Sequence, residues 1–534
     1  MQNYKQDIQT YLDDDPRYRA CLFKRGYLIT DAALPDLRGY PFYGQWRALP
    51  VGQYQFLVHN DQNIYVQNGG DVTAVMIGHG YNPFTMQHDE NVLLAECLEA
   101  LQISETAFFE KVSEFTGIHL ICMIDHLQGQ TTILQDCAGM QSCYFGTIGG
   151  HIYITEYPQL VGDMLGLEPD PFVEKLVATK CYNIGNRYLP GNRSPFRELK
   201  RLGGNTCLRY TDSAFAIRRF YPAKPHPEYG PEEFAEGVAQ IYKIIHNGIS
   251  LCTKKWERRA ISLTGGTDSK TTLACTAGLY DQFHYFSFVS KPSEQKDAEA
   301  ARKICGRLGL EHTLYKIPEQ NEEIADFLFW KKLIAHNTNY TKNLSDSEIR
   351  KYVYLYQLNA YDIELKSWIS EVGRAFMERR YKLIKLPERL TERHLSIFQT
   401  RYFMHPLLLR ESDRIYKAFM REIGLETGLF NFAHSDLFYW EIRMGAWGTA
   451  VTSSQNLYHL TTMPMNNRKL MEIFLSFPHD MRKADKVHTA VMEYANQAVT
   501  EEDITVRNKY FTGKRMWLET IYYLYRTLFY RKRK

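Results

Sequence analysis

The stretch ISLTGGTDSKTT (261–272) decides the fold. An apolar run ends at Thr264, Gly265 and Gly266 turn the chain, and Asp268-Ser269 open a helical run that continues to residue 280. Glycine lets the backbone take positive φ and come close to an anion, and the first N–H groups of a helix point outward at whatever lies there. The stretch therefore reads as strand, anion-binding turn and helix. It is neither the G-x-x-x-x-G-K-[ST] loop nor a G-x-G-x-x-G fingerprint.

Working outward, a helix near 232–254 precedes the strand RRAISLT (258–264). HYFSFVS (284–290), EQKDAEAARKICGRLG (294–309) and HTLYKI (312–317) follow as strand, helix and strand. Alternation at this spacing predicts parallel strands joined by crossover helices. Residues 320–534 read as largely helical, without internal repeats. Upstream the grammar differs. YQFLVHNDQNIYVQN (54–68), GIHLICMIDHLQGQTTILQD (117–136) and CYFGTIGGHIYITEY (143–157) are each two runs around a polar turn, which predicts hairpins and an antiparallel sheet. Helical periodicity interrupts them at 90–101 and 105–115. The segment YPAKPHPEYGPEEF (221–234) holds four prolines within ten residues, which predicts extended chain and a boundary there. The expected organisation is an α+β domain over 1–221 and an α/β domain over 222–534.

Lys and Arg total 64 against 61 acidic residues, so a net charge of +3 supplies no general attraction to nucleic acid or anionic membrane. The ten cysteines are scattered without a C-x-x-C pair, which argues against a disulfide framework or structural zinc. The histidines show no metal spacing either. No window reaches the roughly eighteen apolar residues of a membrane span, and the N-terminus does not read as a signal peptide. A soluble, cytoplasmic protein is the expectation.

The turn resembles the S-G-G-x-D-S loop of the PP-loop ATP-pyrophosphatases, with Thr264 in place of the first serine. SLTGGTDSKTTLA, FSFVS and DAEAARKICGRLGLEHTLYKI are similar, in order, to the first βαβαβ of asparagine-synthetase-like enzymes. GIHLICMIDHLQGQTTILQDCAGMQSCYF resembles the strand–strand–D-x-x-G-x-x-x-x-Y/F stretch of their glutaminase-type domain, with Asp136 and Gly139 in register. YLPGNRSPFRELKRLGGNTCLRY (188–210) resembles the segment closing that domain. The likeness spans most of 50–320. It implies an N-terminal α+β domain of antiparallel sheets, Ntn-hydrolase-like, then an α/β PP-loop domain with a parallel sheet and a helical C-terminal region.

In that family ATP adenylates a carboxylate, pyrophosphate leaves, and an amine attacks the acyl-adenylate. The resemblance implies that Thr264, Gly265, Gly266, Thr267 and Ser269 cradle pyrophosphate, and that Leu263 and Phe288 flank the adenine. Asp268 would hold Mg²⁺, an ion that takes few protein carboxylates and fills its shell with phosphate and water. In LKSWISEVGRAF (365–376), Glu371 stands at the second metal ligand's place, although the glycines before it are lost and Arg374 follows. The same stretch also reads as a helix start with Ser370 as cap. In FLSFPHDMRKADKVHTAVMEYA (474–495), Lys486 stands at the catalytic lysine's place; a solvated lysine at a helix start is the other reading. ATP and Mg²⁺ are the implied cofactors.

Gln2 replaces the cysteine that glutamine-dependent members carry after Met, so glutaminase activity is expected to be absent unless processing exposes Cys21. β-Lactam synthetases and lasso-peptide cyclases are built this way, which points to a dedicated amide-bond former. Its partners would be small-molecule or peptide carboxylates and amines, with no nucleic acid, and an oligomer is possible. Two rivals remain open: a non-catalytic scaffold, and a tRNA-modifying PP-loop enzyme, which the absent cysteine pair and the low net charge disfavour. The C-terminus, MWLETIYYLYRTLFYRKRK (516–534), reads as an aromatic helix docked on the protein's own core, with weak membrane or acidic-partner association as the other reading.

Overall fold

The computed structural model describes residues 4–33, 44–400, 405–427, 429–500 and 513–529. Gln2 and the basic run at 531–534 lie outside the described residues.

The N-terminal region builds two antiparallel six-stranded sheets. The first joins β1 (Tyr27–Thr30), β2 (Trp46–Val51), β3 (Tyr54–His59), β8 (Tyr144–Ile148), β9 (His151–Thr155) and β10 (Lys200–Arg201), in the order β10-β8-β9-β1-β3-β2. The second joins β4 (Ile64–Gly69), β5 (Val72–Tyr81), β6 (Thr116–Asp125), β7 (Gln130–Gln135), β11 (Thr206–Thr211) and β12 (Ala214–Arg219), in the order β12-β11-β7-β6-β5-β4. The sheets face each other across an apolar layer in which Ile29, Phe56 and Ile154 meet Val75, Ile77, Leu120 and Ile133. Ile29 lies opposite both Phe56 and Ile154 in the first sheet, so one pleat face supplies its half of the layer.

Two of the three expected hairpins form, β6–β7 and β8–β9. The third does not. Tyr54–His59 and Ile64–Gly69 belong to different sheets, and the turn between them carries the chain from one layer to the other. A short polar turn signals reversal of the chain, but pairing is set by which apolar face each strand can bury.

The other face of the second sheet, with Met76, Ile121, Met123 and Leu134, is also covered. It enters a large core shared with Ile245, Leu273, Trp440 and Phe474 from later in the chain. Burial on both faces explains why β6 reads as an almost unbroken apolar run rather than an alternating one.

The third sheet is parallel throughout and runs β15 (His312–Lys316), β14 (His284–Val289), β13 (Arg259–Ser262), β16 (Ile363–Leu365), β17 (Leu460–Thr462). From β13 the chain lays strands in one direction to β15, then returns to the other side for β16 and β17. Such a switch point opens a crevice at the carboxyl ends of its two strands, here β13 and β16. Helices Phe234–Lys255, Thr267–Cys275 and Lys486–Asn496 pack together over this sheet.

The remaining chain is mostly helical. Helix Gly513–Leu524 docks on the core through buried Tyr522 and Tyr523, and Arg380 Nε donates to Glu519 at 2.7 Å. Among the described residues no helix is long and apolar enough to cross a membrane.

Candidate functional site

Strand β13 ends at Ser262 and helix Thr267–Cys275 begins five residues later, so Leu263–Gly266 form the turn at the switch point. Ser269 holds this turn closed. Its hydroxyl donates to the Thr264 carbonyl at 2.8 Å and accepts from the Thr264 N–H at 3.2 Å. The Gly266 N–H in turn donates to the Thr264 hydroxyl at 3.2 Å. Thr264 thus does the bonding expected of the serine it replaces. Thr267, Asp268 and Ser269 occupy the helix's first turn, where backbone N–H groups have no acceptor within the helix. Gly265 lies beside Asp297 of helix Gln295–Arg307, a carboxyl that burial raises above its ordinary value.

The segment after β16 closes over this turn. Ser370–Arg374 is a single 3₁₀ turn bracketed by Ile369 at φ 78° and Ala375 at φ 47°. A β-branched residue at positive φ is strained, and the turn it precedes brings two side chains, Ser370 and Arg374, onto the loop. Ser370 donates to Asp268 Oδ1. Arg374 Nη1 donates to Asp268 Oδ2 at 2.6 Å, and its Nε and Nη2 grip both oxygens of Asp485 at 2.7 and 2.9 Å. Arg379 also binds Asp485. Glu371 accepts from the Tyr439 hydroxyl. Burial opposes ionisation of Asp268, but the Arg374 charge and the Ser370 hydroxyl outweigh it and hold the carboxyl below its ordinary range. Burial together with the Asp268 charge raises Glu371 to about 7, and burial beside Arg374 lowers His488 to about 4.

The expected metal pair therefore does not form an open donor set. Both Asp268 oxygens already accept charged or hydroxyl donors. Glu371 is raised to about 7, and the Arg374 guanidinium lies on Asp268. Among the described residues no group of three or more His, Cys, Asp or Glu could hold a metal. As arranged, these residues do not fit Mg²⁺. Ser370 is not the expected cap: Ile369 precedes the turn without a side-chain cap bond, and the Ser370 hydroxyl goes to Asp268 instead.

Leu263 is buried, its N–H bonded to the Phe286 carbonyl, and Phe288 lies under the Lys351 ammonium at 4.4 Å from the ring centre. Lys486 is exposed at the first position of helix Lys486–Asn496, one residue from Asp485. Three groups were missed in the sequence. Arg374 and Asp485 each stand beside a predicted residue, Arg374 three positions after Glu371 and Asp485 directly before Lys486. Lys366, directly after β16, is buried with its Nζ 2.5 Å from Glu364, whose other oxygen is 2.6 Å from His459 Nε2. The signal for Lys366 was its place at a parallel strand's carboxyl end.

The Glu371 value gives a pH test. Its folded value lies above the ordinary 4.5, so the stabilisation from holding that proton is complete below about pH 4.5 and is lost as pH rises through about 7. Glu371→Gln, which still accepts from Tyr439, should melt like the parent near pH 4 and be more stable by on the order of 2 kcal/mol near pH 8. A difference that does not change with pH would refute the assignment.

Residues 251–336 match the asparagine synthase family model, a span that covers β13, the turn, β14 and β15. No curated protein matches the chain. Solved structures align loosely. "Structure of the allosteric regulatory enzyme of purine biosynthesis" aligns at 9% identity and TM-score 0.23, over 58% of this chain and 62% of that one. The glutamine phosphoribosylpyrophosphate amidotransferase from B. subtilis, complexed with ADP and GMP, aligns at 9% and 0.22, over 80% and 89%. The glutamine-dependent NAD⁺ synthetase from Acinetobacter baumannii, in complex with ADP, aligns at 11% and 0.20, over 52% and 66%.

Proposed function

We propose that the protein is an ATP-dependent carbon–nitrogen ligase. It adenylates a carboxylate, releases pyrophosphate, and passes the acyl-adenylate to an amine. The observation that carries this reading is the Ser269-braced glycine turn at the carboxyl end of β13, inside the segment that matches asparagine synthase. In this reading the first-turn N–H groups of Thr267, Asp268 and Ser269, with Gly266, meet the polyphosphate. Leu263 and Phe288 border the adenine. Exposed Lys486 and buried Lys366 are the two lysines that meet negative charge on the adenylate. Magnesium enters with ATP, carried on the triphosphate rather than held by Asp268 and Glu371. In this reading residues 1–221 form the glutaminase-like domain and 222–534 the synthetase domain.

The test is carboxylate-dependent exchange of labelled pyrophosphate into ATP across a panel of amino acids, hydroxy acids and short peptides. Exchange with one acid identifies half of the substrate. No exchange with any acid, together with no ATP binding, refutes the ligase. The scaffold reading would then stand.

A further inference from the structure

We infer that Arg374 takes the place of the metal ion at the pyrophosphate loop, so that this protein binds pyrophosphate through a built-in guanidinium and without a protein-held divalent cation. The inference rests on the ligase reading and deepens it.

A loop of this kind needs positive charge for two reasons: its own aspartate, and the anion it receives. An aspartate left open recruits a divalent cation. Here Arg374 is on Asp268 at 2.6 Å and is held there from behind by both oxygens of Asp485. Arg379 adds a second cation on Asp485. Two carboxylates thus face two guanidiniums, and no anionic charge is left over to call for a metal. Arginine stays protonated under all working conditions and has five N–H donors in a planar fork that suits phosphate oxygens. Three of these are spent on Asp268 and Asp485, which leaves one N–H on Nη1 and one on Nη2 for an anion in the crevice. The backbone holds this arrangement, since Ile369 and Ala375 at positive φ fix both ends of the turn that carries Arg374. Its side chain is only 11% exposed, so the guanidinium cannot swing out to solvent without breaking both ion pairs.

The experiment is calorimetric titration of the full chain with inorganic pyrophosphate, once in EDTA and once in excess Mg²⁺. The expected result is affinity equal within about threefold in the two buffers, and a loss of at least about tenfold in EDTA for Arg374→Ala, with Arg374→Lys in between. Binding that appears only with Mg²⁺, or tightens more than about tenfold with it, overturns the inference and leaves the ligase reading intact. So does an Arg374→Ala protein, folded by circular dichroism, that binds as the parent does. The parent's two titrations decide the matter even where Arg374→Ala fails to fold. If neither pyrophosphate nor ATP binds in either buffer, the ligase reading itself fails.

Discussion

Asp268→Ala should lower carboxylate-dependent pyrophosphate exchange by at least about 100-fold, the scale on which removal of one preorganised charge-stabilising group acts. The reason is positional. Asp268 ties Arg374 to the loop: its Oδ2 takes Nη1 of Arg374 and its Oδ1 takes the hydroxyl of Ser370. Without the carboxylate, the guanidinium keeps only its anchor on Asp485 and turns away from the phosphates. A shift of about 1 Å in such a group is enough to cost about two orders of magnitude. Asp268→Asn keeps an acceptor at the same place and should retain more exchange than alanine. If Asp268→Ala exchanges within about threefold of the parent while folding normally, Asp268 does not organise the site and the role given to Arg374 fails with it.

Arg219→Ala should destabilise the protein by about 3–5 kcal/mol, the scale for removing one partner of a buried ion pair. Glu441 is fully buried, and both its oxygens accept from Arg219 at 2.8 Å. Asn205 is its other donor, at 3.0 Å. Alanine at 219 leaves that carboxylate without its bidentate partner inside the large core. Arg219 lies on β12 of the second sheet and Glu441 on the helical stretch Phe438–Gly448, so the loss falls on the junction of the N-terminal sheets with the later elements. The measurement is the urea midpoint followed by pulse proteolysis. The double variant Arg219→Leu/Glu441→Leu should recover most of the loss, because an apolar pair requires no desolvated charge. If the single variant loses less than about 1 kcal/mol, water reaches Glu441 and the junction is looser than described.

The ligand turn was legible because its signals are local. Two glycines, a serine five residues after Thr264 and an apolar run ahead of them suffice to set strand, turn and helix. The parallel strands followed from the same short-range alternation of apolar runs and amphipathic helices. The hairpin expected over 54–68 does not form for the same reason: its turn is local, but the partner sheets of β3 and β4 are chosen by an apolar layer that reaches as far along the chain as Leu208 and Tyr210.

Glu371 stands out in the sequence by its position in a stretch, whereas the groups that set its charge, Asp268, Tyr439 and Arg443, come from other parts of the chain. The sequence by itself determined the strand–helix alternation from β13 to β15, the two kinds of sheet, and a glycine turn at the carboxyl end of β13, but not β16 and β17, which lie in the stretch read as helical. Only the tertiary structure decided what charge that turn meets. Arg374 reaches Asp268 across 106 residues and Asp485 across 111. Backbone periodicity is governed by neighbours along the chain, whereas the fate of a buried charge is governed by whichever groups folding brings within about 4 Å of it.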